Sequence, residues 1–210
     1  MIICLDIDGT LIDSTKRHCV LLETLLHKSG ILPPNDDRHK YLDYKREGNS
    51  TRDYCKNVLH LTDALSAYIS NEWIAEIELP FYLNMDILYP DTIRFLEYLK
   101  NTQHTVVYLT ARTNDIMFVR ELTKLGIFEY AADIFVVDPN ETLINKLKIV
   151  KRFMIENDVC MVGDTEIEAK ISQLLNIKSF ILNRGFRSKN FLERHGFFSY
   201  NSLDDILSLI

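Results

Sequence analysis

No stretch of this 210-residue sequence approaches the roughly 18 consecutive apolar residues that a membrane-spanning helix needs. The apolar opening Met1-Ile2-Ile3-Cys4-Leu5 meets Asp6 too soon for a secretory signal. We therefore expect a cytoplasmic protein with no membrane partner. A dense Lys/Arg block is missing too: 24 basic against 30 acidic side chains leave a formal charge of −6. Surfaces that grip nucleic acid or anionic lipid need counterion-displacing positive charge, so a small molecule is the expected partner and nucleic acid is not. Cys4, Cys19, Cys55 and Cys160 lie far apart with no Cys-x-x-Cys pair, which points to free thiols. The six histidines form no His-x-x-x-His pair, which leaves a zinc site without support. Internal repeats and low-complexity segments are absent as well.

What is present suits a folded protein, with 47% hydrophobic and 26% charged residues. The length allows one domain, or a core with a modest insertion. Short apolar runs alternate with segments of helical period, the pattern of an α/β fold with a parallel sheet covered by helices on both faces. The expected strands are Ile2 to Ile7, Thr105 to Thr110, Asp133 to Val137, Asp158 to Val162 and Lys178 to Leu182, with a short sixth around Phe197 to Tyr200. Helices are expected at Asp91 to Asn101, Asn114 to Leu125, Glu141 to Glu156, Glu166 to Leu175 and Ser202 to Ile210. Between Ser14 and Met85 no strand is evident, and Leu21, Leu22, Leu25 and Leu26 share one helical face, so this stretch reads as a helical insertion. Gly30 with Pro33-Pro34, then Gly48-Asn49-Ser50, then Leu79-Pro80 divide it.

The first strand runs into Asp6-Ile7-Asp8-Gly9-Thr10. Side chains alternate along a strand, so Asp6 and Asp8 point to one side at its carboxyl end. Two carboxylates placed there repel unless a cation or a shared proton compensates them, which makes the pair a candidate metal and acid/base site. A turn alone needs only one such residue, and Gly9 already supplies the turn.

Asp-x-Asp-Gly-Thr after an N-terminal apolar strand resembles the first motif of the haloacid dehalogenase superfamily of phosphohydrolases. Val106-Val107-Tyr108-Leu109-Thr110-Ala111-Arg112 is similar to its second motif, a Thr at a strand end. Val162-Gly163-Asp164-Thr165-Glu166-Ile167-Glu168 is similar to its fourth. Tyr89-Pro90 and Leu125-Gly126-Ile127 fit the spacing. The third motif is a lysine, for which Lys146, Lys148 and Lys151 compete. At about 100° per residue, Lys146 falls between Val150 and Phe153 on the core-facing side and Lys148 beside Arg152 on the polar side. Lys151 borders the apolar sector one turn later, so Lys146 is preferred, against the alternative of a snorkelling side chain.

The resemblance implies a doubly wound, Rossmann-like sheet of order 3-2-1-4-5 whose crevice gathers these residues. It implies an α/β core at residues 1–13 and 86–210 and a helical cap at 14–85, similar to the phosphoglycolate phosphatase and β-phosphoglucomutase relatives. It further implies a Mg²⁺-dependent phosphatase acting on a small phosphorylated metabolite, as a monomer or homodimer. Asp6 would be the nucleophile and Asp8 the general acid/base. Thr110, Ala111 and Lys146 would bind phosphate; Asp6, the backbone carbonyl of Asp8, and Asp164 would hold the metal. Glu168 stands where the family most often has a second Asp, and a metal role is expected of it, with Glu166 on the surface. Arg112 could touch phosphate or the cap, or form a surface ion pair. In the cap, Tyr44 to Arg52 resembles the loop facing the active site, making Arg46 and Asn49 the candidates for substrate contact. The basic run Asn183 to Arg187 reads as solvated, and Trp73, Ile74 and Ile77 read as cap core. Two alternatives stay open: a phosphomutase on the same scaffold, and a non-catalytic phosphate-binding protein, the latter motivated by Glu168.

Overall fold

β1 (Ile2–Leu5) is buried at every residue, because the chain lays a strand on each side of it. In the computed structural model, which describes all residues except 33–36, this strand is followed by β2 (Ile12–Asp13) and five helices: α1 (Thr15–Lys28), α2 (Asp37–Arg46), α3 (Thr51–Asn57), α4 (Asp63–Glu76) and α5 (Pro80–Leu83). The Pro33-Pro34 turn lies outside the described residues. β3 (Ile87–Leu88), α6 (Thr92–Asn101), β4 (Thr105–Ala111), α7 (Asp115–Lys124), β5 (Asp133–Val137), α8 (Thr142–Phe153), β6 (Val159–Gly163), α9 (Glu166–Leu175), β7 (Lys178–Ile181) and α10 (Lys189–Arg194) complete the chain.

The main sheet has the order β5-β4-β1-β6-β7, and every pairing in it is parallel. Counting only the five strands expected from the sequence, this is 3-2-1-4-5. β2 and β3 were not anticipated; they form a two-stranded antiparallel ribbon in the two crossings between core and insertion. Of the expected sixth strand only a bridge between Leu182 and Tyr200 remains. The C-terminal helix shrinks to a 3-10 turn over Asp204–Ile206, where the Asp205 carboxylate accepts from the backbone N–H groups of Asn201 and Ser202 at 3.0 and 3.1 Å. A side chain that caps its own upstream backbone competes with a full helix there.

Strand alternation divides the apolar residues between two layers. Ile3, Leu5 and Ile7 join Phe95, Leu96 and Leu99 of α6 and Phe118 and Leu122 of α7. Ile2 and Cys4 face the other way, toward Val150 of α8 and Ile171 of α9. Asp6 continues the Cys4 side, so the chain aims it at α8, the helix that carries Lys146. Full burial of a Leu or Ile contributes about 1.5–3 kcal/mol, and both layers contain several.

Helices α1–α5 enclose a separate apolar cluster that includes Leu22, Leu26, Tyr41, Tyr54 and Ile69. Ser50 caps α3 in a reciprocal box with Asp53. All four cysteines are buried. Among the described residues, no helix is long and apolar enough to cross a membrane.

Candidate active site

The carboxyl ends of β1, β4 and β6 meet the insertion around a cleft of about 280 Å³. Asp6, Asp8, Thr110, Ala111, Lys146, Asp164 and Glu168 line its floor. Lys146, one helical turn before the buried Val150, places Nζ 2.6 Å from Asp6 Oδ1 and 2.7 Å from Glu168 Oε1. Lys148 and Lys151 are exposed. Burial works against the Lys146 charge, yet Asp6 and Glu168 outweigh it and raise its pKa. Burial is likewise the largest influence on Asp6 and drives its pKa up to about 7 against the pull of Lys146.

Asp164 is fully buried, its Oδ2 accepting from the backbone N–H of Phe186 at 2.5 Å. Two glycines make room for it. A Cβ on Gly185 would lie 2.0 Å from that Oδ2, and one on Gly9, whose φ of +79° already favours glycine, would lie 2.2 Å from it. Burial, and then the charge of Asp6, push the Asp164 pKa well above the usual carboxylate range. Its Oδ1 is buried with no hydrogen-bond partner among the described residues.

This pair is where a hard cation fits: two mutually repelling carboxylates, one with an orphaned buried oxygen. Among the described residues no cluster of three or more metal-ligating side chains occurs. Two carboxylates are a donor set that fits Mg²⁺, which binds through one or two carboxylates and fills its shell with water and phosphate oxygens. Glu168 is turned elsewhere, with Oε1 on Lys146 and Oε2 accepting from Thr165 Oγ1 at 2.6 Å. Those contacts hold the lysine against Asp6.

Asp8 receives two arginines. Arg112 donates through Nε and Nη2 at 2.8 and 3.0 Å, and Arg17 through Nη2 at 2.6 Å. Burial opposes the Asp8 charge, but Arg112 and then Arg17 prevail and hold its pKa below the ordinary value. Arg112 is a buried ion-pair residue, with Nη1 on Glu121 at 2.8 Å. Arg17 also faces Asp86, with 3.3 Å between Nε and Oδ2. Burial pushes the Asp86 carboxyl up to about 9.

A family model for haloacid dehalogenase-like hydrolases matches residues 1–171. The chain belongs to that family. No curated protein matches it. Among solved structures, this haloacid dehalogenase-like chain is similar to a hydrolase of the same family from Streptococcus pneumoniae, with a TM-score of 0.76 at 15% identity, covering 99% of this chain and 97% of the other. It is also similar to a predicted phosphatase from Clostridium acetobutylicum, with a TM-score of 0.72 at 17% identity and coverages of 99% and 96%. A predicted phosphoglycolate phosphatase from Haemophilus somnus gives 0.71 at 16% identity, again covering 99% and 96%. At these identities the likeness is one of fold.

Several residues of this haloacid dehalogenase-like site differ from the sequence reading. Arg46 and Asn49 do not line the cleft: Arg46 Nε donates to the Gly185 carbonyl at 3.1 Å, and Asn49 Nδ2 to the Tyr44 carbonyl at 3.0 Å. Ile77 and Trp73 belong to the cap's apolar cluster as read, and with the exposed Ile74 they also form part of the cleft wall. The loop at 183–187 is not a solvated run. Arg184 holds both oxygens of Asp91 at 2.8 and 2.6 Å and the Thr10 carbonyl at 2.6 Å, while Arg187 Nε reaches Glu166 Oε2 at 2.5 Å. Glu166 is thereby half-buried rather than on the surface.

Sequence reasoning missed Arg17, His18, Glu78 and Phe186, all of which line the cleft. The signal for Arg17 was a charge beside the apolar stripe of α1. Glu78 accepts from the backbone N–H groups of Thr113 and Asn114, both at 2.8 Å, which ties the return crossing to the end of β4. His18 stacks on Phe186 with ring centroids 4.4 Å apart and meets Trp73 edge-on at 5.0 Å. Burial, then Lys45, Arg17 and Arg112, lower its pKa well below the usual value, so its ring is neutral at pH 7.

Proposed function

We propose that this haloacid dehalogenase-like hydrolase is a Mg²⁺-dependent phosphatase of small phosphomonoesters. The observation that carries the reading is the meeting of Asp6, Asp164, Lys146 and Thr110 at one cleft floor, where an anion finds an ammonium and a pair of carboxylates calls for a cation. Residues 1–13 and 86–210 act as the catalytic core, and residues 14–85 as a cap that excludes water and contacts the leaving group.

Asp6 attacks phosphorus in line and forms an aspartyl-phosphate, which splits one difficult hydrolysis into two easier steps. Lys146, held by Glu168, offsets the charge of the phosphoryl group, and Thr110 with Ala111 borders it. Asp6, Asp164 and the backbone carbonyl of Asp8 would hold Mg²⁺. A cation held there would supply positive charge against that developing on the transferring group.

Asp8 moves the protons. Between its arginines it is a carboxylate, the form needed to take a proton from the attacking water. A phosphate dianion arriving beside it favours its protonation, the form needed to donate to the leaving oxygen. The substrate is a small phosphorylated metabolite, and the net negative charge and four widely spaced cysteines favour the cytoplasm as its compartment.

The test is phosphate release from para-nitrophenyl phosphate and a panel of phosphorylated metabolites, with and without Mg²⁺. We expect Mg²⁺-dependent turnover that Asp6→Asn abolishes while the folded circular-dichroism spectrum persists. Undiminished turnover by Asp6→Asn would move the chemistry to another residue.

A further inference from the structure

Asp86 stands immediately before β3 on the return crossing, and its side chain is closed to solvent. Four charged groups face it: Arg17 from α1, Asp8 from the loop after β1, Arg112 from the end of β4 and Glu121 from α7. Arg17, Arg112 and Glu121 are buried as well. Asp8, Asp86 and Glu121 against Arg17 and Arg112 make three acids and two guanidiniums, one positive charge short of neutrality.

The hydrogen bonds single out Asp86. Asp8 takes three N–H donors from the two arginines, and Glu121 Oε2 takes Arg112 Nη1 at 2.8 Å. Among the described residues neither oxygen of Asp86 finds a donor, and Arg17 Nε, 3.3 Å from Oδ2, lacks the alignment of a hydrogen bond. Glu121 Oε1 is orphaned too. A buried carboxylate without any donor bears the desolvation cost of its charge uncompensated. One proton removes the difficulty, because a protonated Asp86 becomes a donor and the neighbouring Glu121 oxygen its acceptor. Burial, the largest influence on Asp86, raises its pKa to about 9 against the pull of Arg17, with Asp8 and Glu121 acting in the same direction as burial.

We propose that Asp86 is a positioning residue: it keeps a proton in the folded enzyme, donates it to Glu121 Oε1, and so packs against Arg17 without competing with Asp8 for that guanidinium. The inference rests on the phosphatase reading above, in which Asp8 moves the protons, and adds to it the device that leaves Arg17 to Asp8. Loss of the proton would set a second negative charge beside Glu121 and draw Arg17 from Asp8 toward Asp86.

The test compares the parent with Asp86→Asn, which puts a neutral donor of similar shape in place of the carboxyl. Above about pH 3.9 the unfolded chain gives up the Asp86 proton, while the folded chain keeps it. In urea unfolding from pH 5 to 8, the folding equilibrium constant of the parent should therefore fall relative to that of Asp86→Asn, by up to about tenfold per pH unit. An infrared difference spectrum at pH 7, parent minus variant, should show the carbonyl band of one protonated carboxyl group. With para-nitrophenyl phosphate and Mg²⁺, the parent-to-variant ratio of kcat/KM should fall by about threefold between pH 8 and 9.5, as the parent loses a proton that the variant does not carry. A stability ratio that stays constant from pH 5 to 8, or a missing carbonyl band, would make Asp86 an ionised partner of Arg17 and overturn the inference. A constant kcat/KM ratio would overturn the positioning role. Absence of phosphate release by the parent would overturn the phosphatase reading instead, and unfolding and infrared would still decide where the proton resides.

Discussion

Glu168 holds Lys146 by a 2.7 Å contact between Oε1 and Nζ, and Lys146 is the cation that Asp6 meets. Removing the lysine therefore strands two buried carboxylates. Lys146→Met should cost about 3–5 kcal/mol in urea unfolding, the usual penalty for breaking a buried ion pair from one side. Glu168→Gln keeps the shape, leaves Asp6 as a counter-ion and should be milder in stability. It should still lower phosphate release by about tenfold. Equal stability losses in the two variants, without a rate effect, would reduce Glu168 to a packing role.

Asp164 and Asp6 repel each other across a site built to be filled. Asp164→Asn preserves an acceptor for the Phe186 N–H and removes one charge. The metal-free variant should melt higher than the metal-free parent, by about 2–4 °C for each kcal/mol relieved. Mg²⁺ should raise the melting temperature of the parent and leave that of the variant unmoved. A variant that still responds to Mg²⁺ would place the cation elsewhere.

His18 predicts a pH dependence. Its pKa in the folded chain lies well below its unfolded value near 6.5. The unfolded chain therefore binds a proton that the folded chain refuses as the pH falls. Stability from this group is complete above about pH 6.5 and declines below it by about 1.4 kcal/mol per pH unit, until the folded pKa is reached. Asp6, Asp86 and Asp164, with raised pKa values, contribute with the opposite sign in this range, so the slope is read as a difference: between pH 7 and 5 the parent should lose stability relative to His18→Phe, which keeps a ring against Phe186 and Trp73, by that amount per pH unit.

Gly185→Ala places a methyl group 2.0 Å from Asp164 Oδ2 and 2.6 Å from the Gly9 Cα. Neither neighbour can yield without moving the loop after β1 or the buried carboxylate. Overpacking of this kind costs about 1–3 kcal/mol, and the displaced Asp164 should weaken the Mg²⁺-induced rise in melting temperature. A variant with unchanged melting behaviour would show that the loop relaxes freely.

The sequence made the frame legible because strand burial and helix period are local signals: Ile2 to Leu5 reads as a buried strand in any context. The cleft floor was legible in part for the same reason, since strand alternation paired Asp6 with Asp8 and helix period chose Lys146 among three lysines, whereas Thr110 and Asp164 were legible through the motifs they resemble. The roof was not. Arg17 finds Asp8 nine positions away and Asp86 much further along, and Glu78 finds Thr113 and Asn114 across a loop. Trp73 has an apolar signature whether it faces a core or a cleft, so periodicity alone could not separate the two. Arg46 is spent on the Gly185 carbonyl, a contact that only the docking of α2 on that loop creates.

Arg17 enters on the outgoing crossing, while the carboxylates it meets belong to the loop after β1 and to the return crossing, at Asp8 and Asp86. Expressing residues 14–85 apart from the remainder would strip that guanidinium of the Asp8 partner and leave Asp8 with Arg112 alone. Dissection at these crossings severs an electrostatic knot as well as two peptide links.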